Sequence, residues 1–181
     1  MPTEVSITWY HIENQSFFTK SRVENVLVEN GVPLDLWERG VYVIRLLPPF
    51  AIRYPRADSP VVYIGEGNIP QRISSHNKSW LTALLGEGVD AQVEAMICFP
   101  RVRNNQTAYK QLEASLLGYF RNSYNSLPLN NRQNETAYNN HQYDSHSIVQ
   151  ALGLGAGKRY KWSLEPMKAN RFYEVFHRTH D

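Results

Sequence analysis

Two tyrosines, an arginine and a histidine stand out as residues whose types and spacing could do chemistry together. Tyr42 closes the tripeptide Gly40-Val41-Tyr42 and Tyr63 opens Tyr63-Ile64-Gly65; Arg72 and His76 follow, four residues apart. A guanidinium offers fixed positive charge to an anion such as a phosphate. An imidazole is the side chain that titrates near neutrality. A phenol, with a pKa near ~10, moves a proton at neutral pH only with help from its surroundings.

The elements that must hold these groups can be read around them. Val41-Tyr42-Val43-Ile44 and Val61-Val62-Tyr63-Ile64 are β-branched and aromatic, and Gly or Pro breaks off each run, which predicts strands over Gly40–Leu47 and Val61–Glu66. Asn68-Ile69-Pro70 is a helix start: a capping residue, then a proline in the first turn, where its missing N–H costs nothing. A helix over Ile69–His76 projects Arg72 and His76 from one side. With so short a connection from Tyr63, the phenols, the guanidinium and the imidazole gather at one end of a sheet.

Further along, Trp80–Leu85 reads as another helical turn or two, and the apolar run Val93–Phe99 as a third, buried strand stopped by Pro100. Arg101, Arg103 and Asn104 read as a polar turn. The longest helix signal runs from Thr107 to about Arg121, with Tyr109, Leu112, Leu116, Leu117 and Phe120 on one stripe. Glu113 sits at the edge of that stripe, and by spacing alone it reads as a solvated or paired carboxylate.

This ordered set resembles the GIY-YIG nuclease superfamily over residues 40–131, closest in style to its stand-alone type II restriction endonucleases. Gly40-Val41-Tyr42 and Tyr63-Ile64-Gly65 stand for the two signature tripeptides, Arg72 for the helix arginine, and His76 for a histidine of several branches. Glu113, with Phe120 seven places on and Tyr124-Asn125 at eleven and twelve, matches the layout of the superfamily's metal-binding glutamate, aromatic and Tyr-Asn pair. Asn122 replaces the usual proline, and Asn130 and Asn131 compete with Asn125 for the asparagine.

The resemblance implies an α/β (α+β) fold, with a small, mostly antiparallel three-stranded sheet flanked by helices. It also implies hydrolysis of DNA phosphodiesters to 5′-phosphate and 3′-hydroxyl ends. Glu113 would hold one Mg²⁺ or Mn²⁺, Arg72 would bind the phosphate, Tyr42, Tyr63 or His76 would take the water's proton, and Asn125 would orient a phosphate or the glutamate. Arg72 and the metal would lower the phenol pKa values. Glu66, where relatives carry a lysine or small polar residue, would add a ligand or repel the phosphate. The implied partner is double-stranded DNA, bound by a homodimer because a two-fold site asks for a two-fold protein. A structure-selective repair or recombination nuclease and a non-catalytic nucleic-acid-binding module are the other two readings.

Around the core, residues 1–38 read as an N-terminal extension, a cap or a dimer contact, with a strand over Thr8–Ile12 and a helix over Ser21–Glu29. The proline-rich stretch between the signature strands carries Arg53 and Arg56 and reads as a loop, solvated or touching phosphate. Residues 132–144 read as an exposed polar loop, followed by a helix over Ser145–Leu152, a strand over Arg159–Leu164 and a final helix over Met167–His177. In this C-terminal extension Lys158, Arg159 and Lys161, with aromatics interleaved, are candidates for contact with a nucleic-acid backbone. Gly153-Leu-Gly155-Ala-Gly157-Lys158 lacks the spacing and the Ser/Thr of a triphosphate-binding loop, so no nucleotide triphosphate is expected.

Composition narrows the class. The chain has 181 residues, 42% apolar and 20% charged, with a formal net charge of only +2, so a nucleic-acid partner would have to be met by local clusters. No apolar run approaches a membrane span, no secretory layout opens the chain, and the single cysteine, Cys98, lies in an apolar run. A buried structural thiol in a reducing cytoplasm is expected.

Overall fold

The structure, a computed structural model, describes residues 4–14, 18–85, 91–133, 142–153, 156–165 and 168–169. In chain order the elements are β1 (Glu4–Val5), β2 (Tyr10–Asn14), α1 (Lys20–Glu29), a 3-10 helix (Leu34–Arg39), β3 (Gly40–Leu46), β4 (Phe50–Arg53), β5 (Asp58–Ser59), β6 (Val61–Gly67), α2 (Ile69–His76), α3 (Leu81–Leu85), β7 (Val93–Cys98), α4 (Ala108–Tyr124), β8 (Gln142–Tyr143), α5 (Ser145–Leu152) and β9 (Trp162–Leu164). The fold is α+β.

The main sheet has the order β2-β7-β3-β6, with every pairing antiparallel. It has four strands where three were expected. The fourth is β2, from the segment read as an extension: its residues pair one for one with β7, from Tyr10↔Ile97 to Asn14↔Val93. The polar His11 and Glu13 alternating with Tyr10 and Ile12 suit an edge strand packed on one face.

The proline-rich stretch is also more ordered than a loop. β4 and β5 form a hairpin, and β9 joins β4 in parallel to complete a second, three-stranded sheet. Prolines at 48, 49, 55 and 60 lie outside the strands, where no ladder donor is lost. The N- and C-terminal segments are tied together: β1 pairs with β8, the Trp9 indole N–H donates to the Ser147 carbonyl at 2.9 Å, and Ser147 Oγ donates to the Ile7 carbonyl at 3.2 Å. The final helix expected over Met167–His177 lies outside the described residues but for 168–169.

Helix ends follow local chemistry. Asn68 caps α2 by accepting from the Gln71 N–H, with Pro70 in the first turn, and Asp144 caps α5 by accepting from the N–H groups of His146 and Ser147. α4 ends at Asn125 in the left-handed conformation, φ 56°, its N–H bonded to the Arg121 carbonyl. Asparagine tolerates that conformation better than most side chains.

The core lies on both sides of the main sheet. Val41, Val43, Ile44, Ile64, Met96 and Ile97 are fully buried, as are Ile69 and Ile73 of α2 and Leu112, Leu116 and Phe120 of α4. Cys98 is buried, and burial pushes its thiol well above the usual range, as an inert structural cysteine requires. Tyr54, Phe120 and Tyr124 form an aromatic cluster, with Phe120 stacked on Tyr124 at 4.4 Å and edge-on to Tyr54 at 5.0 Å. The Tyr-Asn pair at the end of α4 therefore has structural duties: Tyr124 in this cluster, Asn125 at the cap.

Candidate active site

The site is built on the β3–β6 pairing. Register sets Tyr42 opposite Gly65 and Ile44 opposite Tyr63, so the two phenols sit diagonally on one face of the sheet. Gly65 makes this possible. A Cβ there would lie 2.5 Å from the Tyr63 ring and 2.8 Å from Tyr42 Oη, closer than real contacts allow. Gly40 has the matching role in the first tripeptide: a Cβ would run into Ile69 at the start of α2 and come within 2.8 Å of the Phe99 ring. One glycine seats the rings, and the other seats the helix that carries Arg72 and His76.

From α2, His76 turns into the sheet and is only 7% exposed. Its Nε2 lies 2.8 Å from Tyr42 Oη, and its Nδ1 receives the Trp80 indole N–H at 2.9 Å. Arg72 stays at the surface, with Nη2 donating to Tyr63 Oη at 3.4 Å. The rings of Tyr63, His76, Tyr42 and Trp80 pack as a cluster, with Tyr63 and His76 closest at 4.5 Å between centroids. Glu113, on α4, is 8% exposed and near enough to Tyr63 for its charge to oppose ionisation of that phenol. The expected constellation of Tyr42, Tyr63, Arg72, His76 and Glu113 is thus brought to one place.

Two electrostatic expectations are corrected. Burial pushes Tyr42 well above its ordinary range and raises Tyr63 as well; Arg72 pulls both down but does not outweigh the loss of water. His76 does not titrate near neutrality. Burial, then the Arg72 charge, lowers its pKa from 6.5 to about 4, so it is a neutral imidazole at pH 7. The unfolded chain takes up the His76 proton near pH 6.5 and the folded one near pH 4. Stability present above pH 6.5 is therefore lost as pH falls through that window. Urea denaturation at pH 7 and pH 4.5 should show the wild type losing about 2 kcal/mol more than His76→Gln; equal losses would contradict the assignment.

Of the three candidate asparagines, Asn131 is the one whose side chain binds the second signature strand. Its amide donates to the Ile64 carbonyl at 2.7 Å and its oxygen accepts the Ile64 N–H at 3.0 Å, closing the open edge of β6 beside Tyr63. Asn130 adds a backbone bond from its N–H to the Val62 carbonyl at 3.1 Å. Asn125 is exposed at its cap.

No family model matches the chain, and comparisons with curated proteins and with solved structures find no match. The functional reading therefore rests on this geometry and on the motif resemblance.

The donor chemistry bears on the metal. Among the described residues no group of three or more His, Cys, Asp and Glu could hold an ion by itself. A single buried carboxylate still fits magnesium, which keeps several waters and is commonly held by one or two carboxylates together with substrate phosphate. Arg53 is ion-paired with Asp58, and Arg56 donates to the Asn122 carbonyl at 2.7 Å, so both serve the fold. Lys158, Arg159 and Lys161 are exposed.

Sequence reasoning missed an open cleft of about 580 Å³ between the 3-10 helix and the turn leading into α4, whose walls carry Arg39, Arg101, Arg103, Asn105 and Tyr109. The three arginines are exposed and face one acid, Asp35. Tyr109 is four residues before Glu113 and so lies on the same side of α4. The signal available in the sequence was the Arg-x-Arg turn at 101–103; nothing local joins Arg39 to it.

Proposed function

We propose that this chain is a divalent-metal-dependent endonuclease that hydrolyses DNA phosphodiester bonds, acting as a homodimer on a short two-fold-symmetric sequence. The observation that carries the reading is the bonded cluster of Tyr42, His76, Tyr63 and Arg72 beside the buried Glu113 carboxylate. Each residue type answers one need of phosphodiester hydrolysis. Arg72, exposed at the mouth of the cluster, binds the scissile phosphate and offsets the charge that builds on it in the transition state. Glu113 would hold Mg²⁺ or Mn²⁺, which when bound supplies Lewis-acid stabilisation of the phosphate and the leaving 3′ oxygen. A phenol of the pair takes the proton from the attacking water, and the aromatic packing keeps bulk water from the inner side of the site.

The arginine-lined cleft suits the next stretch of the same strand's backbone. Replacing Arg101 and Arg103 together with alanine should weaken duplex binding about equally for all sequences. It should also reduce the slope of log K against log salt by about 2, near 0.9 for each phosphate no longer neutralised. Fluorescence anisotropy across a salt series in EDTA measures it, and an unchanged slope would exclude the cleft. Plasmid and phage DNA incubated with Mg²⁺ test the function itself. Discrete fragments support sequence-specific cleavage, cutting confined to branched DNA supports a structure-selective nuclease, and intact DNA of every form contradicts the proposal.

A further inference from the structure

We propose that Trp80 is a positioning residue: its indole N–H sets the direction of a one-way hydrogen-bond chain that runs through His76 and ends on Tyr42 Oη. The indole nitrogen has a hydrogen and no available lone pair, so it can only donate. Its partner, His76 Nδ1 at 2.9 Å, must therefore be bare. A neutral imidazole with a bare Nδ1 carries its hydrogen on Nε2. That nitrogen is 2.8 Å from Tyr42 Oη, so His76 donates and Tyr42 accepts.

With its oxygen accepting the His76 Nε2–H, Tyr42 turns its own hydrogen away from His76. The other tautomer of His76 would accept from Tyr42, so the Trp80 indole decides which of the two groups holds the hydrogen between them. On the nuclease reading, on which this consequence rests, His76 has no free lone pair for the attacking water's proton, its Nε2 being protonated and its Nδ1 held by the indole.

The indole also packs on the His76 and Tyr63 rings, at 5.1 and 5.9 Å between centroids. Trp80→Phe keeps a ring in place and removes only the donor. Nitrogen-15 NMR of the His76 imidazole in the wild-type protein at pH 7 should show a bare Nδ1 and a protonated Nε2. In Trp80→Phe both tautomers should appear, and on cleavable DNA kcat should fall about tenfold with KM unchanged. A protonated Nδ1 in the wild type would overturn the assignment, as would a single unchanged tautomer in Trp80→Phe. If the tautomers behave as expected but the wild type cuts no DNA, the chain of donors stands and the nuclease reading falls.

Discussion

Glu113→Gln is expected to abolish DNA cleavage, by about three orders of magnitude or more, while duplex binding in EDTA and the melting temperature stay near wild type. The size follows from what is removed: a divalent ion contributes several kcal/mol of transition-state charge stabilisation, and each 1.36 kcal/mol is about tenfold in rate. Glutamine has nearly the same shape in this 8%-exposed position on α4, so the space the side chain fills stays filled. What it loses is the carboxylate charge near Tyr63, the one proposed to hold the ion. The measurement is a cleavage time course with Mg²⁺ beside anisotropy in EDTA. Loss of both cleavage and folding would make Glu113 a structural residue, and full activity would remove it from the mechanism.

The second large effect concerns the sheet beneath the site. Glu94 and Arg45 face each other across β7 and β3, with Arg45 Nη2 2.6 Å from Glu94 Oε1 and both side chains largely out of water. Arg45 Nη1 also donates to the carbonyls of Gln150 and Ala151, at 2.9 and 3.1 Å, so the pair joins the sheet to the end of α5. Glu94→Ala should lower stability by about 3–5 kcal/mol, because it leaves a guanidinium charge in a poorly solvated place. Replacing both partners, with Arg45→Met and Glu94→Leu, should recover much of that loss. Urea unfolding of the two single variants and the double variant checks this, and additive losses would mean the pair is not coupled.

The parts of this molecule that were legible in the sequence are those written by short-range patterns. The cap and proline at Asn68-Ile69-Pro70 mark α2 to the residue, and the β-branched runs around Tyr42 and Tyr63 mark β3 and β6. What was not legible is long-range pairing. β2 looks like any short alternating stretch until β7 is beside it. β4 and β5 hide among prolines that merely flank them. Glu94 passes unnoticed in the apolar run Val93–Cys98, because only the register shows Arg45 across from it. Trp80 lies outside the motif spacing, and its meaning comes from where its N–H points. Asn131 outranks Asn125 as the partner of the signature strand because the chain turns back along β6 after Pro128, which no local rule predicts.

The phenol pKa values show the same limit in energetic form. Counting charges favours a lowered value beside Arg72, but the depth of burial decides the sign, and depth is a property of the assembled fold. A phenol raised in the free protein takes a proton from water only when substrate and ion have changed its surroundings. Cleavage should then require both the divalent ion and Arg72.

The most direct test is end analysis of labelled duplex DNA after incubation with the wild-type protein, in Mg²⁺ and in EDTA, beside Glu113→Gln. Breaks with 5′-phosphate and 3′-hydroxyl ends, formed only by the wild type and only with the metal, are the predicted result. Intact DNA in Mg²⁺ and in Mn²⁺ from a folded wild-type protein, or breaks of equal yield in EDTA or from Glu113→Gln, would contradict it.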